Sequence, residues 1–530
     1  MLEGLPDASV FKLGCTWPLP KKALRSFAES VDALYVVEEA SRYLTDAVSA
    51  LGIDVAAFPA PLPRDGELSV GLIRAALGYP EPAHAPAQKD VPGRPPALCP
   101  GCPHRLVFKE LSRCKAIVTG DIGCYTLGAL PPLSAMDTCV DMGASVSMAH
   151  GFELAFAGRE HRPVVAVIGD STFAHSGLSS LISTVYNKGA GTVCILDNRT
   201  TAMTGRQGNP FNGETLQHRP SRELDMEGVL KALGIEDVRT VDPHDARAVR
   251  RALKEATSAT DTLSVIVFRA PCVLLERHRE PAFEVSSQCT ACGVCITDFQ
   301  GRVDRPGAYR SRHVHRLRAV RAVLRTRLHR SGLGGDPMSS NTKTVLLCGV
   351  GGQGTILAAD LLARAAEESG LDVKVSEIHG MAQRGGAVTT VVRFGDKVQS
   401  MIADLGSADC VVSFETTEAL RNLPYVKEGG SLFVNDESIK PLPVATGRAS
   451  MPEHARERLR DAGAMLIPAT ELARKAGTTM AANVVLLGAL SRALGFPTDV
   501  WNRVIAARVP EKYLDVNLEA FKLGASFSAE

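Results

Sequence analysis

The sequence predicts a multidomain α/β protein with a parallel-sheet domain and a second, Rossmann-like α/β domain, and three observations support this fold class. The chain has 530 residues, more than a single hydrophobic core usually supports. From about residue 98 to residue 270, apolar runs of strand length alternate with helical stretches. This alternation is typical of a parallel sheet covered by helices. A further strand, glycine-rich loop and helix follow from Thr344, which indicates a second α/β domain.

The elements of the first domain follow from its apolar periodicity. The Pro-rich stretch from 80 to 103 is predicted to be a linker that precedes this domain, since proline removes backbone donors and disfavours helix in the preceding residue. Before that linker, residues 33–37 predict a buried strand and 42–51 a helix, so the chain is expected to begin within an α/β unit. Within the domain we predict strands at 116–119, 164–168, 192–196 and 263–268, and a helix at 145–157.

Charge and composition narrow the functional classes. The 59 basic and 58 acidic residues balance, so no binding of nucleic acid or an anionic membrane is expected. The apolar runs are far shorter than the roughly 20 residues of a membrane-spanning helix. The N-terminus lacks the basic and apolar segments of a secretory signal. We therefore predict a cytoplasmic protein, whose clustered cysteines are better explained as metal or cluster ligands than as disulfides.

Two polar motifs follow apolar runs and predict a magnesium diphosphate site. Gly169, Asp170 and Ser171 end one run, and Asn198 and Thr200 follow the next. Ligands of parallel sheets bind at the carboxyl ends of strands, and Mg²⁺ prefers oxygen ligands that often include phosphates. We predict that Asp170, Asn198 and a backbone carbonyl near Thr200 bind Mg²⁺, with amides after Gly169 on the phosphates. Either motif alone would also suit an ordinary strand-end turn.

Seven of the 13 cysteines form two groups. Cys99 and Cys102 make a Cys-x-x-Cys pair, which on its own could also be a zinc site, and Cys124 and Cys272 follow later in the domain. Isolated Cys272 could equally be a buried structural thiol. The second group has the Cys-x-x-Cys-x-x-Cys rhythm that opens a bacterial ferredoxin module, but no Cys-x-x-x-Cys-Pro completion follows. Its members are Cys289, Cys292 and Cys295.

A glycine loop opens the second domain. It lies between the predicted strand 344–348 and a helix from Thr355, which is the layout of a dinucleotide site. The acidic residue expected about twenty positions later is not convincingly placed, although Glu377 lies in the next strand region. A turn requiring positive φ is one explanation of the later Gly385 and Gly386. The loop glycines are Gly349, Gly351, Gly352 and Gly354.

These motifs together resemble the indolepyruvate branch of the 2-oxoacid:ferredoxin oxidoreductase family. The Asp170 and Asn198 motifs resemble its thiamine diphosphate site, although Ser171 departs from the usual glycine. The segment around Gly123 resembles its cofactor domain. The resemblance implies thiamine diphosphate, Mg²⁺ and a proximal 4Fe-4S cluster as cofactors. It also implies the cluster ligands, which are Cys99, Cys102, Cys124 and Cys272.

The resemblance further implies that the C-terminal part of a large subunit is fused to a small, gamma-type subunit. The glycine loop and Arg384 are then expected to meet the phosphates of coenzyme A. The expected domains are a partial transketolase C-terminal-like domain at 1–90, a thiamine diphosphate domain at 91–285, a truncated ferredoxin motif at 286–300, an Arg-rich linker at 301–340 and a gamma-type domain at 341–525.

The implied reaction is oxidative decarboxylation of an aryl 2-oxoacid such as indolepyruvate. With coenzyme A it gives an arylacetyl-CoA and CO₂ and reduces ferredoxin. Ferredoxin is the expected electron acceptor, and the protein is expected to form an oligomer. The activating glutamate is expected on a pyrimidine-binding domain carried by another chain, so the catalytic residue stays unknown. Two alternatives stay open. One is a non-redox thiamine decarboxylase or synthase, and the other is an inactive truncated fusion with an assembly role.

Residues 301–330 differ from the rest of the chain. They contain ten arginines, three histidines, one acidic residue and no lysine, without the period of an amphipathic helix. One hypothesis is a shifted reading frame that joined two neighbouring coding regions. The other is a natural basic linker that binds an acidic partner such as ferredoxin.

Overall fold

The computed structural model describes residues 8–80, 83–159, 162–259, 261–275, 302–305, 308–310, 342–379 and 385–528. Two six-stranded sheets form the centres of two α/β domains, which confirms the predicted fold class. Within the described ranges, no helix is both long and apolar enough to cross a membrane.

The segment before residue 80 carries short helices around a small apolar cluster that includes Leu24, Val48 and Ile53. The predicted strand at 33–37 is wrong, because these residues are not buried and form no strand. The carbonyl of Leu34 accepts one hydrogen bond from the amide of Ala56 (2.8 Å), which falls short of a ladder. The helices are α1 (Lys21–Glu29), α2 (Tyr43–Ser49), within the predicted 42–51, and α3 (Val70–Ala76).

The first sheet has only parallel strand pairs, in the order β2-β1-β3-β4-β6-β5. Its strands are β1 (Ile117–Gly120), β2 (Thr138–Cys139), β3 (Val164–Gly169), β4 (Gly191–Asp197), β5 (Asp237–Val241) and β6 (Leu263–Arg269). Its helices are α4 (His104–Cys114), α5 (Ala144–Phe156), α6 (Asp170–Thr172), α7 (Leu178–Tyr186), α8 (Met226–Ala232) and α9 (Ala246–Ser258). The four predicted strands and the predicted helix at 145–157 are confirmed within one to two residues.

Alternation along the strands explains why helices cover both faces of this sheet. Val165 and Val167 pack in the cluster formed with α4 and α9, whereas Val164, Ala166 and Ile168 pack in the cluster with α5, α7 and α8. Successive strand side chains point to opposite faces, so a strand that is apolar throughout must be covered twice. The register pairs Gly169 with Leu196, which brings the carboxyl ends of β3 and β4 together.

The second sheet is mixed, in the order β10-β11-β9-β12-β13-β14, with β10 and β11 antiparallel to their neighbours and the other strands parallel. Its strands are β9 (Lys343–Val350), β10 (Asp372–His379), β11 (Ala387–Gly395), β12 (Ala408–Ser413), β13 (Val426–Asn435) and β14 (Ala464–Ile467). Its helices are α10 (Thr355–Glu368), α11 (Thr416–Asn422), α12 (Leu442–Ala445), α13 (Ala455–Asp461), α14 (Ala469–Ala476), α15 (Ala482–Leu494), α16 (Thr498–Arg508) and α17 (Leu514–Ser526). The predicted strand at 344–348 and the helix from Thr355 are confirmed.

Two further strands fall between the two domains in the sequence, and they pair antiparallel. They are β7 (Arg302–Arg305) and β8 (Ala308–Arg310). Part of the Pro-rich segment before the first sheet packs against the C-terminal domain. Residues 83–94 lie against the C-terminal domain, where Val91 packs beside its buried cluster.

Candidate active site

The carboxyl ends of β1, β3 and β4 place three polar side chains at one edge of the first sheet. Asp170 follows Gly169 directly and is 2% exposed. Its Oδ1 accepts a hydrogen bond from the amide of Ser171 (2.7 Å) and its Oδ2 one from Nδ2 of Asn209 (3.0 Å). The structure thus places Asp170 where the sequence predicts it, and adds Asn209 as the residue that orients its carboxylate.

Asn198 lies at the end of β4, in a turn that fixes its side chain. Its Oδ1 accepts from the amide of Thr200 (3.2 Å), while Arg199 between them has φ 64°. The hydroxyl of Thr200 donates to the carbonyl of Gln207 (3.1 Å), and the hydroxyl of Thr201 lies 2.8 Å from that of Ser171. The segment after Asn198 is therefore tied to the segment after Asp170, as expected for two halves of one site.

The electrostatics at this edge suit a divalent cation. Asp197 lies beside Asp170 and pairs with Arg269 (2.6 Å). Burial first, and then the charge of Asp197, raises the pKa of Asp170 to about 7, against the lowering effect of Asn209. Arg269 already compensates the charge of Asp197, so the Asp170 carboxylate is the group that a divalent cation would compensate, and carboxylate and amide oxygens are ligands of Mg²⁺. The side chains present therefore fit magnesium, with Asp170 and Asn198 as the groups that would hold it.

Asp121 directly follows β1 and forms a second buried polar centre next to Asp170 and Asn198. It is 0% exposed and accepts hydrogen bonds from Ser145 Oγ (2.8 Å), the Gly143 amide (3.1 Å) and the Tyr125 hydroxyl. Burial raises the pKa of Asp121, and these donors oppose that shift. A Cβ added at Gly169 would lie 2.6 Å from Cε1 of Tyr125, so the Tyr125 ring closes over the strand end that carries Asp170.

Gly123 lies in the same segment, at the start of a 3₁₀ helix over Cys124–Ala129. Its amide donates to the hydroxyl of Thr126 (3.1 Å), and an added Cβ would lie 2.3 Å from Cε1 of Tyr125. A side chain at position 123 would therefore displace the Tyr125 ring. The glycine allows the close approach between this segment and the ring, and its predicted contact with cofactor stays a prediction.

The four predicted cluster cysteines line one pocket, together with His104 and Asn198. Those cysteines are Cys99, Cys102, Cys124 and Cys272. Two come from the turn before α4, one from the 3₁₀ helix after β1, and one from the segment after β6. Three chain segments that are distant in sequence therefore bring four thiols to a common cavity.

Without a bound metal, burial keeps the thiols of this pocket in their neutral form. Burial raises the pKa of Cys124 to about 12, with further increases from Cys99 and Cys272, and burial also raises the pKa of Cys102. Buried Arg105 lowers the pKa of Cys102 in part and donates to the carbonyl of Cys99 (2.9 Å). Bound iron keeps its thiol ligands ionised, so the donor set fits a four-thiolate cluster. Among the described residues, no three His, Cys, Asp or Glu side chains are grouped to hold a single metal ion.

Two hydrogen bonds join this cysteine pocket to the strand ends that carry Asp170 and Asn198. Nδ2 of Asn198 lies 3.2 Å from Nε2 of His104, and the carbonyl of Asn198 accepts from the amide of Cys272 (3.0 Å). Burial lowers the pKa of His104 to about 4, so its imidazole is neutral near pH 7 and Nε2 accepts from the Asn198 amide. Asn198 is therefore shared between the two sites.

The glycine loop of the second domain continues from the end of β9. Hydrogen bonds within the chain occupy several of its backbone groups. The Val350 amide donates to Gln353 Oε1 (2.7 Å), and the Gly351 amide donates to the carbonyl of Gly386 (2.9 Å). Gly385 has φ 78°, as a turn requires, and its amide donates to the carbonyl of Gly351 (3.2 Å). Gly352 and Gly354 also have positive φ, and the loop lies between β11 and β12. The binding of coenzyme A by Gly349, Gly351, Gly352 and Gly354 stays a prediction.

Several residues singled out in the sequence lie outside the described residues. They are Arg384, Cys289, Cys292 and Cys295.

Sequence reasoning missed Asn209, Asp121 and Tyr125, and it left His104 out of the site. Asp121 carried a signal, since it follows a predicted strand just as Asp170 does. Asn209 carried none, because it lies in a loop with no regular period.

Two family descriptions match this chain, and each falls on one domain. Residues 121–268 match "Thiamine pyrophosphate enzyme, C-terminal TPP binding domain". Residues 344–527 match "Pyruvate ferredoxin/flavodoxin oxidoreductase". Together with the strand-end site, they define the class: a 2-oxoacid oxidoreductase-type protein with a thiamine pyrophosphate-binding domain.

Curated relatives define the family more closely. The chain is 43% identical over 193 residues to indolepyruvate oxidoreductase subunit IorB of Thermococcus kodakarensis, covering 35% of this chain and 96% of that protein. It is 36% identical over 335 residues to subunit IorA of the same organism, covering 56% of this chain and 51% of that protein. The chain belongs to the indolepyruvate oxidoreductase family, and joins parts similar to both subunits.

The chain spans about half the length of the IorA relatives that it matches. Among solved structures, the gamma subunit of a keto/oxoacid ferredoxin oxidoreductase from Geobacter sulfurreducens is similar, with 24% identity and a TM-score of 0.26. That likeness covers 34% of this chain and 95% of the solved one.

Proposed function

We propose that this chain carries the magnesium diphosphate site and the proximal cluster site of an enzyme that oxidatively decarboxylates an aryl 2-oxoacid, such as indolepyruvate. The 2-oxoacid and the thiol of coenzyme A yield an arylacetyl-CoA, CO₂ and one proton, and two electrons pass to two oxidised ferredoxins. The observation that carries this proposal is the shared position of Asn198, which contacts both His104 and Cys272. Electrons released at the thiamine site would have an acceptor in the adjoining pocket.

Within this proposal, the residues of the chain bind and orient rather than react. Thiamine diphosphate, when bound, supplies the nucleophilic carbon that attacks the substrate carbonyl. Asp170 and Asn198 would hold Mg²⁺, and Asn209 fixes the Asp170 carboxylate through its hydrogen bond. Backbone amides at the start of α6 would be the donors to the phosphates, an arrangement that helix starts favour.

The cysteine pocket supplies the redox half of the proposal. Cys99, Cys102, Cys124 and Cys272 would hold a 4Fe-4S cluster as thiolates, and the buried guanidinium of Arg105 favours the ionised form of Cys102. The neutral imidazole of His104 keeps the amide of Asn198 in place. Ferredoxin is the proposed electron acceptor, and the gamma-type domain is proposed to bind coenzyme A through its glycine loop and Arg384.

The direct test is to purify the chain without oxygen and measure iron, acid-labile sulfide and bound thiamine diphosphate. We expect about four irons per chain at the proximal site. Cys99→Ala should lose them while Cys114→Ala, a half-buried cysteine outside the pocket, keeps them. Asp170→Ala should lose thiamine diphosphate but retain iron.

The other outcomes separate the alternatives. Thiamine diphosphate without iron would favour a non-redox decarboxylase or synthase and contradict the cluster. The absence of both cofactors from the purified chain would favour an inactive fusion that acts in assembly. If both cofactors are present, the aryl preference is tested by comparing the rates of ferredoxin reduction with indolepyruvate and with pyruvate. The assay includes a chain that supplies the pyrimidine-binding domain.

A further inference from the structure

Residues 83–94, which we call the strap, lie on the C-terminal domain although they precede the first sheet by sequence. The centre of this contact is Arg94, whose side chain is 2% exposed. Its Nε donates to Glu418 (2.8 Å), and its Nη2 donates to Glu415 (3.3 Å) and to the carbonyl of Ile439 (2.9 Å). A cation from one half of the chain is thus buried among acceptors of the other half.

The two acidic partners are as buried as the arginine. The side chains of Glu415 and Glu418 are 0% and 1% exposed, and both lie at the start of α11. Arg421 also forms an ion pair with Glu418 (3.0 Å), but the Arg421 side chain is 31% exposed. Two buried carboxylates this close repel one another unless a buried cation compensates them, and Arg94 is the residue that reaches both.

Further contacts extend along the strap. Asp90 pairs with Arg458 through both of its oxygens (2.5 and 2.9 Å), and the carbonyl of Pro92 accepts from Arg421 (2.6 Å). Val91 packs beside the buried cluster of the C-terminal domain. Upstream of the strap, the amide of Gly71 donates to Asp404 (3.0 Å). The contact therefore has a buried charged centre, an apolar component and a polar rim, as protein interfaces do.

We propose that the strap is a docking element that holds the gamma-type domain to the thiamine-binding half without a covalent connection. The partner surface is the acidic, buried start of α11 with its rim at Arg458, and the occupant is Arg94 of the strap. The two halves resemble relatives that are separate subunits, so an interface between them is physically required whether or not one polypeptide joins them. This inference does not depend on the proposed cofactors or reaction.

The test uses the full chain with a specific protease site inserted immediately before Met338. After folding and purification the chain is cut, and the two fragments are followed by size-exclusion chromatography at micromolar concentration. The wild-type fragments should elute together. Arg94→Met removes the charge but keeps much of the apolar stem, and should weaken association by about 30-fold or more, so that the fragments separate.

The matched control is Arg247→Met, on the exposed face of α9, which should leave the fragments together. Uncut Arg94→Met is checked by its thermal unfolding, so that a folded variant that dissociates after cutting supports the proposal. If that variant does not fold, Asp90→Ala removes a half-exposed rim contact instead and should weaken association by several-fold. Wild-type fragments that separate on cutting, or folded Arg94→Met and Asp90→Ala fragments that stay together like wild type, would overturn it.

Discussion

Nδ2 of Asn198 lies 3.2 Å from Nε2 of His104, and this contact connects the carboxyl end of β4 to the cysteine pocket. The other end of the same amide, Oδ1, accepts from the backbone of Thr200. Both ends of the Asn198 side chain are therefore fixed before any cofactor binds. Such preorganisation is what a site for a charged, multidentate ligand needs.

The first prediction concerns His104. His104→Ala removes the acceptor for the Asn198 amide, so binding of Mg²⁺ and thiamine diphosphate should weaken about tenfold, the usual effect of losing a residue that orients a ligand. His104→Gln offers an amide oxygen as acceptor and should recover part of the affinity. The measurement is isothermal titration calorimetry with His244→Ala, an exposed histidine, as the control. Equal affinities for His104→Ala and wild type would contradict the positioning role.

The second prediction is a pH dependence of magnesium binding. The pKa of Asp170 is about 7 in the metal-free chain, because burial and Asp197 disfavour its ionised form. Protons therefore compete with Mg²⁺ below pH 7, and affinity at pH 6 should be about tenfold weaker than at pH 8. The sign follows from the raised pKa, since the ionised form that binds the cation is populated only above it.

Asn209 supplies the control for this titration. Its amide lowers the pKa of Asp170, so Asn209→Ala should move the midpoint of the pH dependence to higher pH. A midpoint that stays unchanged, or moves to lower pH, would show that another group controls the titration.

The third prediction compares two glycines. Gly169→Ala places a Cβ 2.6 Å from Cε1 of buried Tyr125, so we expect the free energy of unfolding to fall by about 1–3 kcal/mol. Gly151→Ala, in the exposed face of α5, meets nothing within 4 Å and should increase stability by about 0.5–1 kcal/mol. Urea unfolding of the metal-free chain measures both. A neutral Gly169→Ala would mean that the Tyr125 ring moves freely.

The fourth prediction concerns Tyr125→Phe, which removes a donor to Asp121. Burial already raises the pKa of Asp121, and losing this donor raises it further. At higher pH more of Asp121 must ionise without this donor. The free energy of unfolding of the variant should therefore fall by about 1–3 kcal/mol at pH 7.5 and by less at pH 5. Chemical unfolding at the two pH values tests this, and an equal loss at both would show that Asp121 is not the group affected.

Much of the fold and part of the site were predictable because they depend on local patterns. Apolar runs of strand length specify the buried strands, as the 0% exposure of Val165 to Ile168 shows, and parallel strands then bring Asp170 and Asn198 to one edge. The strand predicted at 33–37 failed because an apolar run becomes a strand only when a neighbour supplies its hydrogen bonds. Local composition does not reveal whether such a neighbour exists.

The amino-acid sequence was enough to predict two α/β domains, the polar residues that follow the strands and the cysteines of the pocket. The packing of the elements then sets which residues meet: Asn198 contacts His104 and Cys272, Asn209 orients Asp170, and Arg94 is buried between Glu415 and Glu418. These contacts could not be predicted because their partners are far apart along the chain. Periodicity reports the burial of a residue, whereas a contact across 94 or more than 300 positions depends on how whole elements pack.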